Sequence, residues 1–433
     1  MITFDEILPL ICKVLNNYKN RLAELGTLLI NRDLNGRVRL IADNKISGNN
    51  KLKEMLQSIA NDLSGRLGKH AYPASQTILY ESDLDLACRG AVSFMLDGFE
   101  NVHVLDRLVT DTDWTHIVPQ SSAAPKIVFF SIKGGVGRST ALAATAWALA
   151  QAGKRVLVVD LDLESPGLSS NLLPEDRRPV YGVTDWLLED LVDNGSAVFK
   201  DMIATSDLSR DGDIYVVPAH GREPGEYIAK LGRAWMGKRD SVGNPEAWSQ
   251  RLRRLLNEFE NAIQPDVILI DSRAGIDEVA ASSVAQLGAS LILLFAIDGS
   301  QTWTGYQILF QHWNRAGKAT QIRERLQFVG AMIPDDERRF DYFDGLRENA
   351  WRVFSELYDE VPAGESGAGL FSFDEADEFA PHYPWPIKWH SSFAAVQSLH
   401  TRLEKVDTEA VRLIFGELID QINNLTDVPG DNK

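Results

Sequence analysis

The sequence predicts an α/β fold, a mostly parallel sheet flanked by helices, preceded by a small α+β domain. Three observations carry this. From Lys126 onward, almost wholly apolar runs ("KIVFFS", "RVLVVDLDL", "DIYVVPA", "DVILIDS", "SLILLFAI", "LQFVGAMI") are separated by helical stretches such as "STALAATAWALAQAG" and "EAWSQRLRRLLNEFENAI". Strands apolar on both faces belong in a sheet covered on both sides, which crossover helices between parallel strands produce. Before that point the pattern differs. A helical spacing of Ile7, Leu8, Ile11 and Leu15 leads into "TLLINRDLNGRVRLIAD", two β-rich runs around Asp33-Leu34-Asn35-Gly36. Asn-Gly between apolar alternations marks a hairpin. Third, "PQSSAAP" is a small-residue and proline stretch between the two patterns. The organisation expected is therefore residues 1–118 as a small α+β accessory domain, 119–125 as a linker and 126–433 as the α/β domain.

Within the first domain, "NKLKEMLQSIANDLSGRLG" returns to helical period with Gly68 as its stop, and "NVHVLDRLV" reads as a strand. No catalytic constellation is visible there. In the second, residues 361–386, rich in glycine, proline and acids, read as a long surface loop with "DEADE" as a solvated segment. The C-terminal "TEAVRLIFGELIDQINNL" is an amphipathic helix whose polar face is not basic, which favours core packing or a partner helix over a membrane anchor.

Bulk properties narrow the function. A chain of 433 residues exceeds one ordinary core. Its 44% hydrophobic and 24% charged residues suit a globular protein. No apolar run approaches the roughly 20 residues that span a bilayer, and "MITFDEILPLICKVLNNYKN" is a poor signal peptide and a good amphipathic helix. Cys12 and Cys88 have no metal or redox spacing, so the expected location is the cytoplasm. A net charge of -17 disfavours nonspecific DNA binding, which needs many cations to displace counterions. The eight histidines are scattered without a zinc pattern.

The chemistry concentrates in "FFSIKGGVGRST". Phosphates need closely approaching backbone N–H groups, a helix N-terminus and a cation. Gly134, Gly135, Val136 and Gly137 supply a glycine loop directly after an apolar strand. Arg138 is the cation, Ser139 offers a hydroxyl for Mg²⁺, and Thr140 stands behind it. The general phosphate-loop pattern is met only in part: Ile132 stands at its first glycine and Arg138 at its lysine. Two further strands end in carboxylates, "VVDLDLESPG" with Asp160 and Asp162, and "VILIDSRAG" with Asp271. Strand-end carboxylates beside a phosphate loop suit Mg²⁺ binding, direct or through water, and the positioning of an attacking water. Glu164, beside Ser165-Pro166-Gly167, reads as a turn residue.

Lys133 to Ser139 resembles the deviant Walker A motif of the ParA/MinD family of P-loop ATPases, whose relatives include the nitrogenase iron protein and the tail-anchored-protein targeting ATPases. "DSRAGIDEVA" is similar to the MinD-type "DSPAGIE" switch segment. The resemblance covers roughly residues 126–425 and leaves the N-terminal domain outside. It implies ATP and Mg²⁺ as ligands, slow hydrolysis to ADP and phosphate, and an ATP-dependent homodimer. Position by position, it implies that Lys133 reaches the partner protomer's phosphates, Ser139 is a Mg²⁺ ligand and Asp162 orients the hydrolytic water. Asp160 is a supporting acid, Asp271 the Walker B aspartate and Gly275 the switch glycine. Arg138 departs from the family in shape though not in charge, which predicts retained nucleotide binding with slower hydrolysis. Arg273 stands where relatives have proline, and is open to a phosphate, a partner chain, or an ion pair with Asp277 or Glu278. No asparagine reads adenine in "LQFVGAMIPDD", so ATP over GTP follows from the resemblance alone.

Two readings result. The first is a cytoplasmic, nucleotide-dependent dimerising ATPase switch with an unidentified protein partner. The alternative is a nucleotide-binding regulatory protein with negligible hydrolysis whose N-terminal domain docks a partner. Of the remaining candidates, Arg222, Lys230, Arg233, Lys238 and Arg239 read as a solvated basic face or one turned to phosphates or a partner. Trp385 and Trp389 read as core packing or stacking on a base. His382 and His390 carry no assigned chemistry.

Overall fold

A computed structural model describes residues 2–89, 91–108, 113–208, 211–240, 242–362, 369–393, 399–405 and 408–427. The chain forms two compact units, Met1–Asp113 and Trp114–Lys433.

The smaller unit is a five-stranded sheet with helices on one face. Its strands are β1 (Leu28–Arg32), β2 (Val38–Asp43), β3 (Ile78–Glu81), β4 (Val92–Met95) and β5 (Val102–Asp106), in the order β3-β2-β1-β5-β4. The hairpin expected at Asp33–Gly36 is there: β1 and β2 pair antiparallel from Leu28↔Ala42 to Arg32↔Val38. Asp33 Oδ1 accepts from the Asn35 and Arg37 amides, which fixes the turn. β1 also pairs parallel with β5, a long-range pairing that the local pattern does not contain. Helices Ile7–Asn16 and Asn50–Leu67 pack their apolar stripes on Leu28, Ile30, Leu40 and Val104. Asn49 caps the second by accepting from the Lys51 and Leu52 amides.

The larger unit is built on an eight-stranded sheet. Its strands are β6 (Lys126–Ser131), β7 (Arg155–Asp160), β8 (Ala204–Thr205), β9 (Asp213–Val217), β12 (Val267–Asp271), β13 (Leu291–Ala296), β14 (Leu326–Ile333) and β15 (Trp385–Lys388); β10 (Lys238–Arg239) and β11 (Pro245–Glu246) form a separate ribbon. The order is β15-β14-β13-β6-β12-β7-β9-β8, parallel throughout except at β8–β9. One core lies on each face of the sheet. Trp186, Phe259, Phe310 and Phe328 belong to one, and the alanine-rich helix Arg138–Gln151 with Phe415 and Leu418 of the C-terminal helix Thr408–Asp427 to the other. β6 is central, so the loop after it opens at the carboxyl edge, where ligands of parallel sheets sit.

The division at Asp113/Trp114 precedes the expected boundary at 118. Trp114 is buried against Phe130 and Trp313, with ring centroids 5.8 and 6.1 Å away, and its carbonyl accepts from Trp313 Nε1 at 2.7 Å. Val118 and Ser121 donate to the Ala285 and Gly288 carbonyls, so part of the expected linker runs along the larger unit. β15 arises inside the aromatic segment first read as core packing or base stacking. Pro386 is tolerated there because β15 is an edge strand, and Trp389 beyond it is exposed. The expected 361–386 loop holds for 374–378, which are solvated apart from half-buried Asp377; residues 363–368 of it lie outside the described residues.

In the basic group around residue 230, Arg222, Arg233 and Arg239 are solvated as expected, while Lys230 and Lys238 are half-buried in ion pairs. Lys230 pairs with Asp185 at 2.6 Å, and Lys238 with Asp190 and Asp193 at 3.0 and 2.9 Å. Arg222, Arg233 and Arg239 donate to the carbonyls of Arg178, Ala229 and Gly243. These cations brace their own region.

Candidate functional site

The loop after β6 turns into helix Arg138–Gln151 through two glycines with left-handed backbones, Gly135 at φ 76° and Gly137 at φ 80°. Side chains rarely adopt that conformation, and here it lets the chain curl so that amides face one point ahead of the helix. The helix begins at Arg138, so its unbonded N-terminal amides and partial positive charge face the same way. Ile132, at the position where the general pattern has its first glycine, packs instead against Gly305 of helix Ser300–Arg315. A Cβ on Gly305 would lie 2.3 Å from Ile132 Cγ2. Gly305→Ala is therefore expected to lower stability by about 1–3 kcal/mol through overpacking, read as an earlier urea midpoint at constant slope. An unchanged midpoint contradicts this packing.

Parallel registry brings the carboxylates together. Asp271 at the end of β12 is paired with Asp160 at the end of β7 and with Phe129 of β6. Ser139 Oγ donates to Asp271 Oδ2 at 2.5 Å. Arg138 is buried and does not project outward. Its Nε donates to Asp271 Oδ1 at 2.7 Å, its Nη2 to Asp162 Oδ2 at 2.9 Å and its Nη1 to Ser131 Oγ at 3.0 Å. The planar fork thus engages both strand-end carboxylates, a geometry that a lysine ammonium on its flexible stem would not hold in the same way. Burial alone would lower the guanidinium's pKa, but Asp271 and Asp162 outweigh it and the net direction is upward.

Asp160 is fully enclosed, and both its oxygens face backbone: Oδ1 accepts from the Asp162 amide at 3.1 Å and Oδ2 from the Leu168 amide at 3.2 Å. Both oxygens thus shape the loop that carries Asp162. Burial, then the charges of Asp271 and Asp162, push its pKa well above the ordinary carboxylate value. Asp162 is shifted up more modestly, with burial opposed by Arg138. Lys133 is exposed and forms no ion pair among the described residues. Thr140 is half-buried in the first helical turn behind Ser139, and Val136 is buried under the loop.

Some participants carry only weak sequence signals. Ser131, a polar residue ending an apolar strand, is one. Tyr227 braces the Asp162 loop by donating to the Leu163 carbonyl at 2.6 Å, and burial pushes its pKa up to about 12. Glu164 is more than a turn residue: Arg273 Nη1 meets its Oε1 at 2.5 Å, while Arg273 Nε meets Asp277 Oδ2 at 3.1 Å. Asp277 in turn caps helix Glu278–Ala281, accepting from Ala280 N at 2.7 Å. Gly275, at φ 102°, donates to the Ser131 carbonyl, tying the segment after Asp271 to the root of the phosphate loop.

The family model described as the CobQ/CobB/MinD/ParA nucleotide binding domain matches residues 127–413. The chain belongs to this family. Its larger unit is accordingly a ParA/MinD-like P-loop fold carrying an additional N-terminal α+β unit. The septum site-determining protein MinD of Escherichia coli K12 is 33% identical over 170 residues, 39% of this chain and 49% of that protein. Nitrogenase iron protein 2 of Methanothermococcus thermolithotrophicus is 37% identical over 112 residues, 25% of this chain and 37% of that protein. The chain thus spans about half the length of the MinD relatives it matches. The crystal structure of the Pyrococcus furiosus cell division ATPase MinD covers 70% of this chain and 99% of its own, at 21% identity and a TM-score of 0.43. Within this nucleotide binding family, residues Lys133–Thr140 and Asp271 all fall inside the matched span.

Proposed function

We propose that the larger unit is a Mg²⁺-dependent ATPase that works as a nucleotide-dependent dimerising switch in the cytoplasm. The observation that carries this reading is the meeting of the Ser139 hydroxyl and the Asp271 carboxylate under a glycine loop at a helix N-terminus. Hard oxygen donors of this kind fit Mg²⁺. Among the described residues no three histidine, cysteine or carboxylate groups converge as a metal cage. That suits an ion held by one carboxylate, one hydroxyl, waters and substrate phosphates. When bound there, Mg²⁺ neutralises charge on the β- and γ-phosphate oxygens.

The chain's own residues do the rest. The amides of Gly134 to Ser139 and the helix N-terminus hold the phosphates. Arg138 exchanges part of its carboxylate pairing for phosphate oxygens. Asp162, once released, orients water for attack on the γ-phosphorus, and the products are ADP and inorganic phosphate. Asp160 holds the Asp162 loop in shape and would support Mg²⁺ directly or through water. Lys133 crosses to the phosphates of a second protomer. ATP is preferred to GTP by family likeness.

The second reading, a nucleotide-binding regulator with negligible hydrolysis whose N-terminal unit docks a partner, is supported by one contact. Asp162 is held by Arg138 at 2.9 Å, so an arginine that keeps this pair ties up one oxygen of the carboxylate that would orient water. Phosphate release at saturating Mg-ATP separates the two. Turnover above that of a Ser139→Ala/Asp271→Asn double variant supports the ATPase; equal turnover supports the regulator.

Arg273 gives a further expectation. It links Glu164, two residues past Asp162, to Asp277 in the segment past Asp271. All three side chains are partly exposed, so each pair contributes under about 1 kcal/mol to stability. The coupling bears on turnover. Arg273→Ala and Glu164→Ala should each slow phosphate release, and the double variant should be no worse than the slower single, a coupling of about 0.5–2 kcal/mol. Additive losses would show that the two loops act independently.

A further inference from the structure

The N-terminal sheet has one face covered by its two long helices and a second face whose centre is buried at Leu29, Ile41 and Leu105. Alternation along the strands places Asn31, Arg39, Ile41, Leu79 and Glu81 on that second face. Short helix Leu84–Cys88 covers only the neighbourhood of Leu29, Ile41 and Leu105. Beside that helix lies a hollow of about 420 Å³, within the size range of small-molecule sites. Ile41 and Leu79 floor it, Tyr72 walls one side, and Glu81, Ser82 and Asp83 form an exposed rim.

Two arginines line this hollow and differ in one respect. Arg107 is fully engaged: Nε donates to Asn31 Oδ1 at 3.0 Å, Nη1 to the Arg89 carbonyl at 3.1 Å and Nη2 to the Ala87 carbonyl at 2.6 Å. The Arg39 guanidinium carbon lies 3.8 Å from the Tyr72 ring centroid, and its Nε is buried without a hydrogen-bond partner. Among the described residues it makes no ion pair, although Glu81 lines the same hollow. A buried donor without an acceptor costs about 1–3 kcal/mol. The cation–π contact with Tyr72 holds the guanidinium in place over the ring. Tyr72 is itself anchored by donating to Asp33 Oδ2 at 2.6 Å.

We propose that this hollow binds a small organic monocarboxylate with an apolar body. The carboxylate meets the Nη1 and Nη2 ends of Arg39. Asn31, held by Arg107 through its Oδ1, offers its amide nitrogen to the same group. The apolar body rests on Ile41 and Leu79. Glu81 and Asp83 at the rim, with Asp33 in the lining already accepting from Tyr72, repel a second negative charge, so the site discriminates against phosphates. Nothing in this inference depends on ATP hydrolysis.

The test is calorimetric titration of the full chain with benzoate and, separately, inorganic phosphate, in the absence of nucleotide. Benzoate binding is expected, weakened about tenfold or more by Arg39→Gln and unchanged by Lys53→Gln on the far side of the unit. Ser82→Trp at the exposed rim blocks the hollow without touching the core, and should abolish binding while the thermal midpoint stays constant. Failure of benzoate to bind, equal binding by Arg39→Gln or Ser82→Trp, or phosphate binding that Arg39→Gln weakens as much as it weakens benzoate binding, each overturns the proposal.

Discussion

Lys133→Ala is expected to abolish ATP-dependent dimers and to cut phosphate release by about 10³-fold or more, the scale of a cation supplied in trans to a phosphoryl transition state. The basis is its setting. Every other cation of the site is engaged, whereas Lys133 is exposed and unpaired among the described residues, so it is available to a second protomer. Asp162→Ala should lose hydrolysis to a similar extent but keep the ATP-dependent dimer, because its carboxylate serves water and not the partner. Light scattering with ATP, alongside phosphate release, reads both variants. Dimers unaffected by Lys133→Ala would remove the shared-site model while leaving nucleotide binding intact.

Arg138→Ala is expected to lower stability by about 3–5 kcal/mol, since it leaves buried carboxylates unpaired, and to reduce nucleotide affinity by about a hundredfold or more. Arg138→Lys keeps the charge, loses the fork and should retain nucleotide binding with Asp162 freed from its present partner. The pH dependence has a definite sign. Asp160 and Asp162 titrate above their ordinary value because of burial and neighbouring charge. Such carboxyls bind more protons when folded, so their contribution to stability is full below about pH 4 and declines as pH rises through the raised values. Removing Arg138 withdraws the one cation opposing this trend. The stability gap between wild type and Arg138→Ala should therefore be larger at pH 8 than at pH 5 in urea denaturation. A gap that narrows with rising pH would contradict the electrostatic account of the cluster.

What the sequence disclosed follows from range. The main strands of the larger sheet are buried on both faces, so each is a near-continuous apolar run that composition alone exposes. The Asp33–Gly36 turn is local chemistry, and so is the glycine loop. The carboxylates at Asp160, Asp162 and Asp271 were visible as strand ends, and parallel registry brought them together. Short edge strands were harder. β3, β4 and β15 have four residues each and mixed patterns, and the β1–β5 pairing joins segments with no shared local signal. Arg138 was legible as the substituted cation, but its contacts with Asp271, Asp162 and Ser131 depend on how three strand ends converge. The Arg273–Glu164 pair joins residues 109 apart in the chain, and the Ile132–Gly305 contact is equally remote, which single-residue reasoning along the sequence does not reach. Arg39 likewise became informative only once the sheet put it in a hollow without a partner.

The central claim is that one protomer's phosphate site is completed by another when ATP binds. Its most direct test is the molar mass of the wild-type chain by light scattering, with Mg-ATP, with Mg-ADP and with neither. The account predicts 48.2 kDa with ADP or no nucleotide, twice that mass with ATP, and return to the smaller species as phosphate is released. A mass that is the same under all three conditions, with nucleotide demonstrably bound, would contradict it.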